Sequence, residues 1–424
     1  MKIFIYLLIL ISITIDCESN NISYSDKTYR STVHSVELFR DGWRLSAPYR
    51  NLRDTTTLAL EFDDLTDQVE TFTYTIIHCT PDWIPTDMQE TEYMSGLSDN
   101  EIRNYRFSRN TLQPFIHYRL TFPGEDLKIK IAGNYILYVY RNYDRDDPVL
   151  TRRFYIVDPQ IPVKMDVHRT DNLNYFYNSQ EVDFSLDYSR IPTDNPTRDI
   201  RVTLLQNYNW NRAIQDLQPK FVHPGELIYD YEEGNIFAGG SEFRHFDTKS
   251  LKFNSDRIDA IVYERPLRHV YLKPDLPKDA KYYEYQEDLN GRYLIKWDDA
   301  TDSDTEADYV VIHFLLRVAE PFEGKDVYVF GGLSDFNLLP EFKMTYDLQA
   351  GGYVCAAILK QGYYNYQYFI DDQADPADIN NPIEHSFFET MNEYYLFVYF
   401  KDIRDRYFRL SGLEILSSVK VPVK

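Results

Sequence analysis

The chain has 424 residues, 43% of them apolar and 26% charged. That balance belongs to a globular protein of about three domains and excludes a disordered chain and a polytopic membrane protein. Acidic residues number 67 against 45 basic, a net charge of −22, which disfavours nucleic acid and anionic lipid surfaces as partners.

Lys2 and the apolar run from Ile3 to Ile15, stopped by Asp16, open the chain. The run is too short for a bilayer span, which needs roughly 20 residues, and reads as a secretory signal peptide over residues 1–19, cleaved after Ser19. Asp16 stands where lipoprotein processing requires a small residue before Cys17, which argues against a lipid anchor. No later run is long enough to span, so no direct membrane insertion is expected. Cys79 and Cys355 lie far apart and are expected as two buried thiols rather than a bridge.

An aromatic content of 16%, chiefly Tyr and Phe, favours strands. Alternation with period two recurs along the chain. It marks Leu58 to Phe62, Phe72 to Ile76, Tyr118 to Phe122 and Val182 to Tyr188; Tyr135 to Tyr140 is apolar on both faces, as in a central strand. Further strands are predicted at Val327 to Phe330, Phe342 to Tyr346, Tyr353 to Leu359, Tyr363 to Ile370 and Tyr394 to Phe400. The one helical candidate is short, Asp87 to Met94. The predicted class is all-β, as consecutive immunoglobulin-like β-sandwich domains.

Asp158-Pro159-Gln160-Ile161-Pro162 reads as a linker, and the acidic stretch Asp298 to Asp308 as a second linker or a solvated loop. Pro274 and Pro277 mark a long excursion inside the second unit. These breaks divide the mature chain into domains at 20–160, 161–305 and 306–424.

Catalytic signatures are missing. Gly239-Gly240-Ser241-Glu242-Phe243 lacks the second glycine of a nucleophile elbow. P-loop and dinucleotide fingerprints are absent. His78 and Cys79 are adjacent on a strand and so point to opposite faces, which prevents joint metal ligation. Asp302, Asp304 and Glu306 have calcium-loop spacing, but Ala307 stands where the loop needs Gly and His313 where it needs Glu. Among so many acids, no carboxylate pair stands out as a glycosidase. No catalytic, metal-ligating or cofactor-binding residue is therefore assigned, and neither a cofactor nor a small-molecule substrate is expected. Asp82-Trp83 reads as a turn followed by a core Trp; Arg119, Arg152 and Arg153 alternate with apolar residues and are expected to face solvent or pair with carboxylates.

Four blocks carry a resemblance. They are Tyr74-Thr75-Ile76-Ile77-His78-Cys79-Thr80-Pro81-Asp82-Trp83; Asn110-Thr111 with His117 to Asp126; Gly133-Asn134-Tyr135-Ile136-Leu137; and Asp147 to Phe154. In order and spacing they resemble the plug protein of the type IX secretion system of Bacteroidota. Looser matches follow at Asp302 to His313, Gly362 to Tyr368 and Arg406 to Leu410. A second likeness joins Val327 to Phe336, Met344 to Tyr346 and Gly362 to Tyr368, and is similar to early-set immunoglobulin-like domains. Some of those bind glycogen or starch through a Trp near the position that Phe336 holds here, so this likeness supports the fold alone.

The first resemblance implies a non-enzymatic periplasmic protein associated with the outer membrane. In that family the plug closes the periplasmic mouth of a giant outer-membrane β-barrel translocon and comes off during export. The resemblance assigns no contact residues. The alternative is an envelope carbohydrate-binding β-sandwich, for which the Tyr content and the third domain speak.

Overall fold

The structure, a computed structural model, describes residues 22–371 and 377–418. The expected leader and Cys17 lie outside the described residues. The fold is all-β, built from three sandwiches.

In the first sandwich, Gly133–Arg141 lies between Asp144–Val157 and Phe72–Cys79. Lys27–Thr28 and Tyr49–Asn51 extend this sheet beyond Asp144–Val157. The facing sheet runs in the order Val33–Arg40, Leu58–Asp64, Ile116–Phe122, Asn104–Phe107. Phe62, Tyr118, Phe122, Tyr135 and Phe154 fill the space between them. Phe62 stacks on Tyr118 with centroids 5.2 Å apart, and Tyr135 on Phe154 at the same distance. Such pairs add about 1 kcal/mol each beyond the area they bury. The expected helix is a single turn, Glu90–Tyr93, begun by a capping box between Gln89 and Glu92.

The strand Gly133–Arg141 serves two cores. Tyr135, Leu137 and Val139 face the first sandwich interior, while Ile136, Tyr138 and Tyr140 face a separate cluster with Leu205, Tyr395, Phe397 and Tyr399. Successive side chains on a strand point to opposite faces, so a run apolar at every position is buried on both. The strand Glu393–Phe400 mirrors it: Tyr394, Leu396 and Val398 enter the middle sandwich core, and Tyr395, Phe397 and Tyr399 the shared cluster. First and middle sandwiches are therefore joined by a continuous apolar layer.

The middle sandwich packs Val163–Arg169, Ser179–Asp187, Glu226–Tyr229 and Phe221–His223 against a sheet of Ile214–Gln215, Ile200–Gln206, Glu393–Phe400 and Arg409–Ser417. The third sandwich is an insertion between these parts. One of its sheets is ordered Ile258–Glu264, Leu267–Leu272, Tyr309–Arg317, Gly352–Lys360, Thr345–Asp347. The other is built on Gly362–Ile370, flanked by Arg244–Asp247, Tyr293–Ile295 and Val327–Phe330.

The ranges 161–305 and 306–424 do not match this pairing. Strands from 244 to 295 belong with the third sandwich, and the last two strands return to the middle one. The reason is that the edge of Ile200–Gln206 is completed by a strand nearly 200 residues later, with Ile200 opposite Phe400, and no local signal encodes that partner. We propose the division as 22–158, then 159–243 with 388–418, then 244–387. The predicted strand Phe342 to Tyr346 is also shorter than expected: Pro340–Phe342 forms a 3-10 turn, Lys343 makes an isolated bridge to Tyr328, and the strand itself is Thr345–Asp347. Cys79 and Cys355 are buried and free. No helix among the described residues is long and apolar enough to cross a membrane.

Candidate functional site

The seam between the first and third sandwiches starts from a sheet face of unusual polarity. Glu61 pairs in register with Arg119, and Asp63 with His117, on strands whose Leu60 and Phe62 face the core. Alternation thus puts acids and bases on the outward face. The third sandwich covers it. Asp63 accepts from Lys360 at 2.5 Å, from the Tyr309 hydroxyl at 2.7 Å and from His117 Nδ1 at 2.8 Å. Burial pushes the Asp63 carboxyl up, but Lys360 and His117 more than offset it and hold it below its ordinary range. Glu61, 1% exposed, accepts from both Arg44 and Arg119.

From Asp302 to Asp308 the acidic stretch is neither linker nor solvated loop. Asp304 takes Arg44 at 2.5 Å and Arg106 at 3.2 Å; Arg106 also reaches Asp302, and Arg109 reaches Glu306 at 2.6 Å. Asp308 accepts from the backbone of Leu112 and Gln113 at 2.8 and 3.2 Å. Asp298 and Asp299 stay exposed as expected, but Asp302, Asp304 and Glu306 meet the Arg44, Arg106 and Arg109 guanidinium groups of the first sandwich. Glu61, His117 and Asp304 also have donor atoms within 4.8 Å of one another. Three guanidinium groups already supply the positive charge there, so this triad does not need a metal.

Where all three sandwiches meet lies a cavity of about 360 Å³ lined by Trp83, Arg152, Arg153, Trp210, Asp335 and Phe336, among others. Trp83 stands in the turn after Phe72–Cys79 with φ 61°, and is buried. Its neighbour Asp82 holds Arg201 of the middle sandwich through two bonds, at 2.8 and 2.9 Å. Arg153 is half-buried, and among the described residues its guanidinium has no carboxylate partner, contrary to expectation. Its guanidinium lies 4.5 Å from the Trp83 ring centroid and 5.0 Å from that of Trp210, and donates to the Tyr24 carbonyl. Arg152, 4% exposed, pairs with Asp335 at 2.9 Å. Burial pushes the Asp335 carboxyl up to about 6, against the pull of Arg152. Arg119 pairs with Glu61 and Asp41, as expected. Phe336 turns into this cavity and meets Phe330 edge-on at 5.8 Å, so it offers no outward sugar-stacking platform.

These groups fasten sandwiches together; they do not converge on an open reacting position. Sequence reasoning missed the clamp of Lys360, Asp63 and Arg44. A signal existed, since Arg103, Arg106 and Arg109 form a basic run in the first domain opposite in charge to Asp298–Asp308. The outward set His168, Glu181 and Asp183 on the middle sandwich was also missed. Its members come together only through strand register.

Comparison with known proteins places the first domain. Residues 33–158 match the model of the type 9 secretion system plug protein 1st domain. Over 94% of this chain and 100% of the other, the fold is similar to the crystal structure of a hypothetical protein from Parabacteroides merdae ATCC 43184, with a TM-score of 0.90 and 29% identity. No curated protein matches. The resemblance read from the four blocks holds: residues 33–158 match the first domain of the type 9 secretion system plug protein.

Proposed function

We propose that this protein is the plug of a type 9 secretion system. It binds and seals the periplasmic mouth of the giant outer-membrane β-barrel translocon and is released during export. The observation that carries the reading is the plug-family first domain at residues 33–158. Its construction supports the reading. An apolar layer joins the first and middle sandwiches, and a charged clamp joins the first and third, so the molecule is a broad body that docks and leaves without reshaping. The family is one of secretion plugs rather than enzymes. On this reading the protein works in the periplasm, held at the outer membrane by its partner.

Affinity capture of the C-terminally tagged protein from detergent-solubilised envelopes, read by mass spectrometry, tests this. Co-purification of a very large outer-membrane barrel supports the plug. Recovery of the protein alone, under conditions that keep the barrel intact, overturns it.

A further inference from the structure

The middle sandwich carries a cluster that no seam absorbs. Strands Val163–Arg169 and Ser179–Asp187 run antiparallel with His168 opposite Glu181 and Asp166 opposite Asp183. Val182, Phe184 and Leu186 enter the core, so Glu181, Asp183 and His168 share the other face. One donor atom from each lies within 4.8 Å of the others.

Two features separate this cluster from an ordinary acidic surface. Glu181 is only 4% exposed and its Oε2 has no partner among the described residues; Asn235 is fully buried and its Oδ1 has none among them either. The amide nitrogen of Asn235 donates to Asp183 Oδ1 at 3.0 Å and to the Val182 carbonyl at 2.9 Å, which fixes its orientation. Buried oxygen acceptors left unsatisfied are unfavourable by about 1–3 kcal/mol each. Moreover, among the described residues no Lys or Arg pairs with Glu181 or Asp183, and Asp171 adds a further carboxylate charge acting on Glu181. The adjacent Arg169 points elsewhere, its guanidinium 3.3 Å from the Phe388 ring centroid. In the Glu61, His117 and Asp304 triad, guanidinium groups fill the cationic role; here it falls to His168 alone.

The imidazole is oriented as in a metal site. His168 Nδ1 lies 2.8 Å from the Arg169 carbonyl. A carbonyl only accepts, so Nδ1 carries the hydrogen and Nε2 faces the carboxylates, 3.0 Å from Asp183 Oδ2. A hydrogen bond from the distal ring nitrogen to a carbonyl is the outer-shell arrangement that accompanies histidine ligation. The 3.0 Å separation is close to the roughly 3.3 Å edge of a zinc tetrahedron with bonds near 2.0–2.1 Å.

We propose that His168 Nε2, Glu181 and Asp183 form a divalent transition-metal site that takes Zn²⁺ in preference to Mg²⁺ or Ca²⁺. An imidazole among the donors favours Zn²⁺ over Mg²⁺ or Ca²⁺.

Isothermal titration of the full-length mature protein with ZnCl₂ at pH 7 tests the site. The expected result is saturable binding of one Zn²⁺ per chain. His168→Gln and Glu181→Gln each weaken binding at least about tenfold, with circular dichroism verifying the fold. His313→Gln, at the separate pair His269–His313, leaves it unchanged. His168 is half-exposed, so its variant keeps the test valid if Glu181→Gln misfolds. Absence of saturable binding at micromolar Zn²⁺, or a site that survives His168→Gln, overturns the proposal.

Discussion

Lys360 and Asp63 meet across the seam between the third and first sandwiches, 2.5 Å apart, with side chains only 2% and 1% exposed. A buried pair of this kind gives little net stability against an apolar replacement, but losing one member strands the other charge. Asp63 is the hub: Tyr309 and His117 bind the same carboxylate.

Lys360→Met should therefore destabilise the protein by about 3–5 kcal/mol in urea unfolding. Adding Asp63→Asn should recover part of that loss, because no buried charge is left alone. A single variant within about 1 kcal/mol of wild type would contradict the hub role. The folded Asp63 carboxyl sits below its ordinary value of 3.8, so its contribution is present above that pH. It is lost as pH falls through the lower, folded value.

The Asp304 clamp behaves differently because it is partly wet: its side chain is 24% exposed, and Arg44 and Arg106 are 22% and 44% exposed. Asp304→Asn should lower stability by about 1 kcal/mol. The difference from wild type should shrink between low salt and about 1 M salt, where the screening length falls to about 3 Å. The Lys360→Met loss should change little over the same range. Equal salt sensitivity of the two variants would refute the distinction.

Phe397 lies in the apolar layer shared by the first and middle sandwiches and is 1% exposed. Phe397→Ala should cost about 3–5 kcal/mol. Calorimetry should show the two sandwiches melting together in wild type and separating in the variant. Two resolved transitions in the wild type would show that the layer does not couple them.

Glu242 sits at the junction of the middle and third sandwiches, 2% exposed, accepting from Tyr283 and from the Met391 amide while its Oε2 lacks a partner. Burial pushes its carboxyl from 4.5 up to about 7. A folded state that binds a proton the unfolded chain has released loses stability as pH rises through that window. Glu242→Gln should remove this decline, which amounts to at most about 1.4 kcal/mol per pH unit. Chemical denaturation from pH 4.5 to 7 measures it; parallel wild-type and variant profiles would count against the assignment.

Much of the architecture was legible along the chain. The unbroken apolar run at Tyr135 to Tyr140 announced a strand buried on both faces, and Asp82-Trp83 announced a turn and a core Trp. The blocks from Tyr74 to Phe154 pointed to the family of the first domain. The acidic stretch was misread from Asp302 to Asp308 because charge density resembles solvation when its partners are unknown. Those partners lie far earlier in the chain, Arg44 by 260 residues and Arg106 and Arg109 by 196 and 197. Arg153 was misread because stacking between Trp83 and Trp210 requires the middle sandwich to be in place.

By itself, the sequence determined the all-β class, the face each alternating residue takes and the family of the first domain, because these depend on periodicity and motifs within one segment. Only the tertiary structure decided that the third sandwich is inserted into the middle one, that Lys360 meets Asp63, and that His168 comes to lie beside Glu181. Each depends on which strand edges pair and in which register. That choice is made by burying the whole set of apolar faces at once, so no single stretch of chain encodes it.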